Sequence, residues 1–237
     1  MSAAQRPPAH PAGLLRRYLA WSLDMAAPAL AALALCGGRI ADGVQRAAAA
    51  LDALARSLVQ AMVDMLVQGS TPFALARAWL ADPVQREAIA ALSDAITAIV
   101  ILPLLLASLL SLLWFAAFEA SPRRATPGKR ALGLRVEDAR GARIGFSRAA
   151  LRHLAGTLSW LTLNLGHLLA ALPPRRQALH DRIAGTRVLQ ELPSGSKLPA
   201  WSLAWLGLQI LLAVFATAGL FLATQAAVQR AFDAMLL

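Results

Sequence analysis

Asp24 stands inside an apolar run. The stretch "RRYLAWSLDMAAPALAALAL", residues 16–35, otherwise has the length and composition of a membrane-crossing helix. A charged carboxylate is expensive in hydrocarbon, so such a residue faces protein, finds a partner or holds a proton. Two roles follow. Asp24 is either a titrating group for proton or ion coupling, or a tie that fixes cytoplasmic segments to the helix bundle. Arg17, seven positions earlier, shares its helix face but lies about 10 Å away along the axis, too far for direct contact. Arg17 is expected to snorkel to the headgroups. Lys129, His180 and Arg182 are the candidate partners for Asp24.

Two later strings supply those partners. The first is "ATPGKRALGLRV", residues 125–136. Gly128-Lys129 invites comparison with a phosphate loop. The spacing fails, because no glycine stands five positions before Gly128 and no strand precedes it. Thr126, Pro127, Gly128 and Lys129 therefore read as a turn leading out of a span, with Pro127 fixing φ. The second string is "RRQALHDRIAGTRVL", residues 175–189. His180-Asp181 could suggest metal or acid–base work, but no second ligand falls at metal spacing in this segment. His167 lies thirteen residues upstream, across two prolines. No Ser–His–Asp set and no paired carboxylates occur elsewhere. The expectation is no enzyme, no catalytic residue, no cofactor and no metal.

Composition sets the class. Of 237 residues, 58% are hydrophobic and 15% charged, and the mean hydropathy is +0.55. Soluble domains carry about a quarter charged residues, so this chain belongs in a bilayer. The net charge of +10 would suggest nucleic acid on a soluble protein. Here the basic residues flank apolar runs, as cytoplasmic loops do, so no nucleic-acid partner is expected. The arginine- and alanine-rich composition fits a GC-rich bacterial genome. Cys36 is the only cysteine, which excludes an internal disulfide. "LALCGG" resembles a lipoprotein cleavage box, but Leu35 is too large for the position before the cysteine.

The elements that must position these residues follow from periodicity. Residues 1–12 read as a flexible arm, and 14–36 as the first span, ended by Gly37 and Gly38. Residues 43–69 repeat apolar positions at helical spacing, with Gly69 as C-cap. Thr71-Pro72 and Asp82-Pro83 mark two further helix starts, with Gln85 completing a capping box after Asp82. The second starts a long helix whose apolar part, 95–118, is a span kinked at Pro103. Residues 131–138 and 142–147 alternate as a β-hairpin, joined by a strand at 185–190. Residues 151–172 are apolar but carry His153, Asn164 and His167. Residues 200–223 form the last span, with Trp201 and Trp205 at one interface.

Counts of Lys and Arg orient the chain. The 120–150 segment has eight, 173–199 has five, and 37–95 has five offset by six acids. The N-terminus, 120–150 and 173–199 are thus expected in the cytoplasm, with 37–95 and the C-terminus outside. A full crossing at 151–172 would break that pattern. A re-entrant or interfacial helical hairpin, broken near Asn164-Leu165-Gly166, preserves it.

Arg17, Asp24 within the first span, "TPGKRALGLRV" after the second and "HDRIAGTRVL" together resemble the RDD family of bacterial membrane proteins. The family is named for one arginine and two aspartates, which Arg17, Asp24 and Asp181 match. The resemblance covers roughly residues 12–190. It departs in the 37–95 segment and the span at 200–223. It implies a bacterial inner-membrane protein of undefined role. Transport of an unidentified ligand, or ion or proton exchange, is the implied activity. The alternative is a non-enzymatic scaffold or assembly factor using its basic cytoplasmic face. The expected fold is an all-α polytopic membrane protein: three transmembrane helices, a re-entrant or interfacial hairpin and a small cytoplasmic β-hairpin or sheet. The expected domains are the arm, an RDD-like membrane domain at 13–192 with an extracytoplasmic helical insertion at 37–95, and a C-terminal helix and tail at 193–237. The partners are the lipid bilayer and further copies of the chain, because three spans are few for a pathway. Asn164, His167, Thr97 and Ser108 are the other polar groups a pathway could use.

Overall fold

In the computed structural model, residues 9–69, 71–193 and 195–233 are described. A two-residue strand β1 (His10–Pro11) leads into α1 (Leu14–Gln68), a single helix of 55 residues. Gly37 and Gly38 do not end it, contrary to expectation. A glycine inside a helix costs only about 1 kcal/mol, and the strongly helical stretch after residue 43 carries the helix through. Gly69 does end it, with φ +68° and its N–H on the Met65 carbonyl. His10 and Pro11 close the arm expected over 1–12, and they are paired strand; residues 1–8 of that arm lie outside the described residues.

Helix α2 (Pro72–Ala81) starts at Thr71, whose hydroxyl accepts from the Ala74 N–H. Helix α3 (Pro83–Ile96) starts at Asp82, whose carboxylate accepts from the Val84 N–H. Gln85 does not form a capping box. It is buried and instead takes the Ser57 hydroxyl at 2.6 Å. A π-turn, Thr97–Ile101, joins α3 to α4 (Leu102–Glu119). Pro103 explains its place, since it lacks the N–H that would close an α-turn on Ile99.

The short helix α5 (Pro127–Ala131) is followed by strand β2 (Leu134–Asp138). Helix α6 (Phe146–Leu161) then runs to a break at Leu163 and Asn164, both at positive φ. The one-turn helix α7 (Leu165–Leu168), a 3₁₀ turn, the short helix α8 (Leu179–Ile183) and strand β3 (Thr186–Gln190) come next. Helix α9 (Ala200–Asp233) closes the chain. Among the described residues, three helices are long and apolar enough to cross a membrane, within 14–68, 83–119 and 200–230. Along α9 the leucines, isoleucine and phenylalanines from 208 to 222 are exposed, as lipid-facing side chains are.

The sheet is antiparallel, in the order β1-β3-β2. The expected hairpin is corrected: 142–147 is not a strand, and β3 is the direct partner of β2, Val136 facing Val188. The Asp138 carboxylate takes the N–H groups of Arg140 and Ala142, which folds the chain into a turn. Gly145 then caps α6 before a second strand can form. Pro11 fits β1 because an edge strand tolerates a missing donor.

The chain divides into two compact units. One comprises the chain up to Ala32 with 106–208, and the other 33–105 with 209–237. In the first, Leu19, Ala20, Ala116, Leu132, Leu134, Val136, Ile144 and Val188 form a buried cluster between helix and sheet. Trp205 belongs to this unit, its indole N–H bonding Ser22 at 3.1 Å. In the second, Gly43 lets α1 closely approach the π-turn and the end of α3, since a Cβ there would sit 2.8 Å from Ile99 Cγ1 and 3.3 Å from the Ala95 carbonyl oxygen.

Candidate functional site

Two acids and their neighbours organise the first unit. Asp24 is 2% exposed. Its carboxylate accepts from the Thr126 hydroxyl and from the Gly128 N–H at 2.7 Å. Pro127 between them fixes the backbone so that the hydroxyl and the amide point the same way. The 126–130 segment is therefore the partner of Asp24, but not through a cation. Lys129 turns away to Glu119, at 2.8 Å, with its ammonium 4.6 Å from the centre of the Phe115 ring. His180 bonds elsewhere, and Arg182 is exposed.

Asp181 is fully buried. Arg17 Nη1 donates to its Oδ2 at 2.6 Å, and Arg152 Nε donates to its Oδ1 at 3.0 Å. Its Oδ2 also takes the Ala178 N–H, which caps α8. Arg17 thus does not snorkel; its remaining donors go to the carbonyls of Ala12 and Arg176. Arg152 forks onto both oxygens of Glu119 at 2.7 and 2.8 Å. A continuous chain of charge results: Arg17, Asp181, Arg152, Glu119, Lys129. It ties α1, α4, α5, α6 and α8 together. Arg16 adds a separate clasp onto the carbonyls of Leu132, Ser196 and Lys197.

His180 sits against this chain. Arg152 Nη2 lies 3.3 Å from its Nε2. A guanidinium can only donate, so this contact is a hydrogen bond when Nε2 is unprotonated; Asp181 Oδ1, 3.5 Å from the same nitrogen, pulls the other way. Burial, and after it the Arg152 charge, push His180 down to about 3. Burial opposes the charge on Asp181, but Arg152 and Arg17 outweigh it and hold the carboxyl well below the usual range. His167 packs beside His180, ring centres 5.3 Å apart. Among the described residues no three His, Cys, Asp or Glu side chains are grouped as metal ligands.

A pH dependence follows. The unfolded chain protonates His180 below about pH 6.5, whereas the folded chain does so only near 3, so stability falls through that window as pH drops. Asp181 has a depressed value, so its contribution is present above about pH 4 and is lost as pH falls further. Thermal melts in detergent should show destabilisation already between pH 6.5 and 5, by up to about 1.4 kcal/mol per pH unit from His180. His180→Gln should flatten that slope. An unchanged slope would contradict the neutral assignment.

Of the residues singled out in the sequence, the structure joins Asp24 with Thr126 and Gly128, and Arg17 with Asp181 and, through Arg152, His180. Lys129 belongs to the second group. Glu119 and Arg152 were not singled out. The signal for Glu119 was its place as the last residue of an apolar helix. Arg152 looked like any arginine of a basic layer.

Among the described residues, three membrane-length helices, a buried charge chain and a small antiparallel sheet fit an all-α membrane protein. The sequence model of the RDD family matches residues 11–185, and the chain belongs to that family. A relative from Bacillus subtilis (strain 168), "Uncharacterized protein YxaI", is 32% identical over 86 residues. That match covers 36% of this chain and 56% of the relative. No solved structure matches.

Proposed function

We propose that this RDD-family protein is a multi-pass protein of the bacterial cytoplasmic (inner) membrane that exchanges protons against an ion or small ligand, with Asp24 carrying the proton. One observation supports this above all. Asp24, buried in the first apolar helix, is held by a hydroxyl and an amide, whereas Glu119 and Asp181 are each neutralised by two cations. An ionisable residue at membrane depth marks function by default. The Thr126 hydroxyl can donate or accept, so its bond to Asp24 suits either state of the acid. The N-terminus and 120–199 face the cytoplasm, and 37–95 and the C-terminus face outward, following the Lys and Arg counts. The protein acts as a homo-oligomer in the bilayer, and it is not an enzyme.

The test is cation-dependent proton movement. Purified protein goes into vesicles holding a pH-sensitive dye, and sodium or potassium chloride is added outside. A single cysteine at Arg140, with Cys36 replaced, reports which way the protein is inserted. The wild type should change the internal pH on cation addition. Asp24→Asn should keep its melting temperature within a few degrees and lose the signal. If Asp24→Asn matches the wild type, the coupling role is wrong. A second reading, a scaffold or assembly factor, draws on the charge chain, which locks a basic layer in place. No proton movement by the wild type with either cation would favour that reading.

A further inference from the structure

We propose that an arginine cleft beside β2 binds the phosphate of an anionic phospholipid headgroup. The cleft, about 490 Å³, is lined by Pro122, Arg123, Arg124, Arg130, Arg135 and Glu191. The lining holds four guanidiniums and one carboxylate, with the buried Glu137 behind Arg124 and Arg135 at 3.9 and 3.2 Å. Two of them are engaged: Arg124 donates to the Gly141 carbonyl at 2.7 Å, and Arg135 bonds Glu137 and Glu191 at 3.2 and 2.8 Å. The exposed side chains of Arg123 and Arg130 form no hydrogen bond or ion pair with another described residue. Like charges crowded into one cleft repel, and a phosphate between them relieves that repulsion while accepting several charge-assisted bonds.

Position favours a lipid as the source of that phosphate. Arg123 and Arg124 follow the end of α4, an 18-residue apolar helix, by a few residues. They therefore sit at headgroup level, where basic clusters meet anionic lipids. No aromatic side chain lines the cleft, so nothing there would stack a nucleotide base. Glu191 stands in the cleft already bonded to Arg135. Its charge favours a singly charged phosphodiester over a dianion. A phosphatidylglycerol headgroup has that chemistry.

The experiment uses the full chain in a neutral detergent. Phosphatidylglycerol, phosphatidylcholine or inorganic phosphate is added, and melting temperature and bound lipid in native mass spectra are read. Phosphatidylglycerol should raise the melting temperature where phosphatidylcholine does not. Arg123→Gln with Arg130→Gln should weaken that effect about tenfold, as expected for losing charge-assisted contacts. Both side chains are exposed, so the fold should survive. Arg175→Gln with Arg182→Gln, equally exposed and outside the cleft, removes the same charge and should leave the effect intact. The proposal is overturned if the two lipids act alike, if both double variants lose the effect equally, or if the cleft variant keeps it. Inorganic phosphate acting as strongly as the lipid would assign the cleft to a free anion.

Discussion

Arg152→Met melts far below the wild type in detergent, with a stability loss of roughly 3–5 kcal/mol, the usual cost of breaking a buried ion pair from one side. Arg152 is 8% exposed and spans two acids that are almost wholly buried. Its removal takes two short bonds from Glu119 and one from Asp181. Lys129 still reaches Glu119, and Arg17 still reaches Asp181, so each acid keeps one cation. The chain of charge is nevertheless cut between α4 and α8. Arg152→Lys should be intermediate at best, because one ammonium cannot fork onto Glu119 while also reaching Asp181. Arg152→Met combined with Glu119→Gln and Asp181→Asn should melt lower still, because Lys129 and Arg17 would then be buried cations without their acids. Melting curves of the four proteins decide the matter. A single variant within 1 kcal/mol of the wild type, a threshold well inside the expected range, would show that the chain carries little stability.

Asp24 and Asp181 were easier to read in the sequence than Glu119, or than which base each acid faces. Asp24 stood out because an apolar run makes a single charge conspicuous. Thr126 to Lys129 stood out because Thr-Pro-Gly imposes a local backbone shape. Asp181 entered through a string matched to a family. None of these signals says which acid faces which base. Lys129 and Arg17 were assigned to Asp24 and to the headgroups, and in the structure they neutralise Glu119 and Asp181 instead. The choice is made at long range: Arg152 meets Glu119 across 33 residues and Asp181 across 29. Local chemistry was similarly legible for the sheet. Alternation and β-branched residues marked 131–138 and 185–190, where strands run over Leu134–Asp138 and Thr186–Gln190, but the same alternation at 142–147 was overruled by an Asp138 turn and a helix start at Gly145. The end of α1 shows the opposite error. Gly37-Gly38 looks like punctuation, yet glycine stops a helix only where it takes up a left-handed or capping conformation. Gly69 does so and the earlier pair does not.

Gly128→Ala should be nearly as damaging as the loss of Arg152. A Cβ on residue 128 would lie 2.5 Å from the Ala20 carbonyl oxygen and 2.9 Å from Asp24 Cγ. The first of these is main chain of α1 and cannot swing aside, so α5 must move off α1. That movement lengthens the Gly128 N–H bond to Asp24 and draws Thr126 away with it. Overpacking of this kind costs about 1–3 kcal/mol, and weakening a buried bond to a charged group adds roughly 1–3 more. The glycine is thus needed for close approach, not for an unusual φ. Gly207→Ala is the control: it lies in α9, where an added Cβ meets nothing within 4 Å. A helical Gly→Ala change in open space is neutral to stabilising, by up to about 1 kcal/mol. Melting temperatures of the two variants should therefore move in opposite directions. Asp24→Asn paired with Gly128→Ala separates the two costs, because a neutral amide at 24 already lacks the charge-assisted bond. In that background Gly128→Ala should cost less than in the wild type, leaving the steric share alone. Equal costs in both backgrounds would mean that Gly128 serves only to let two helices touch, and that its amide contributes nothing to holding Asp24.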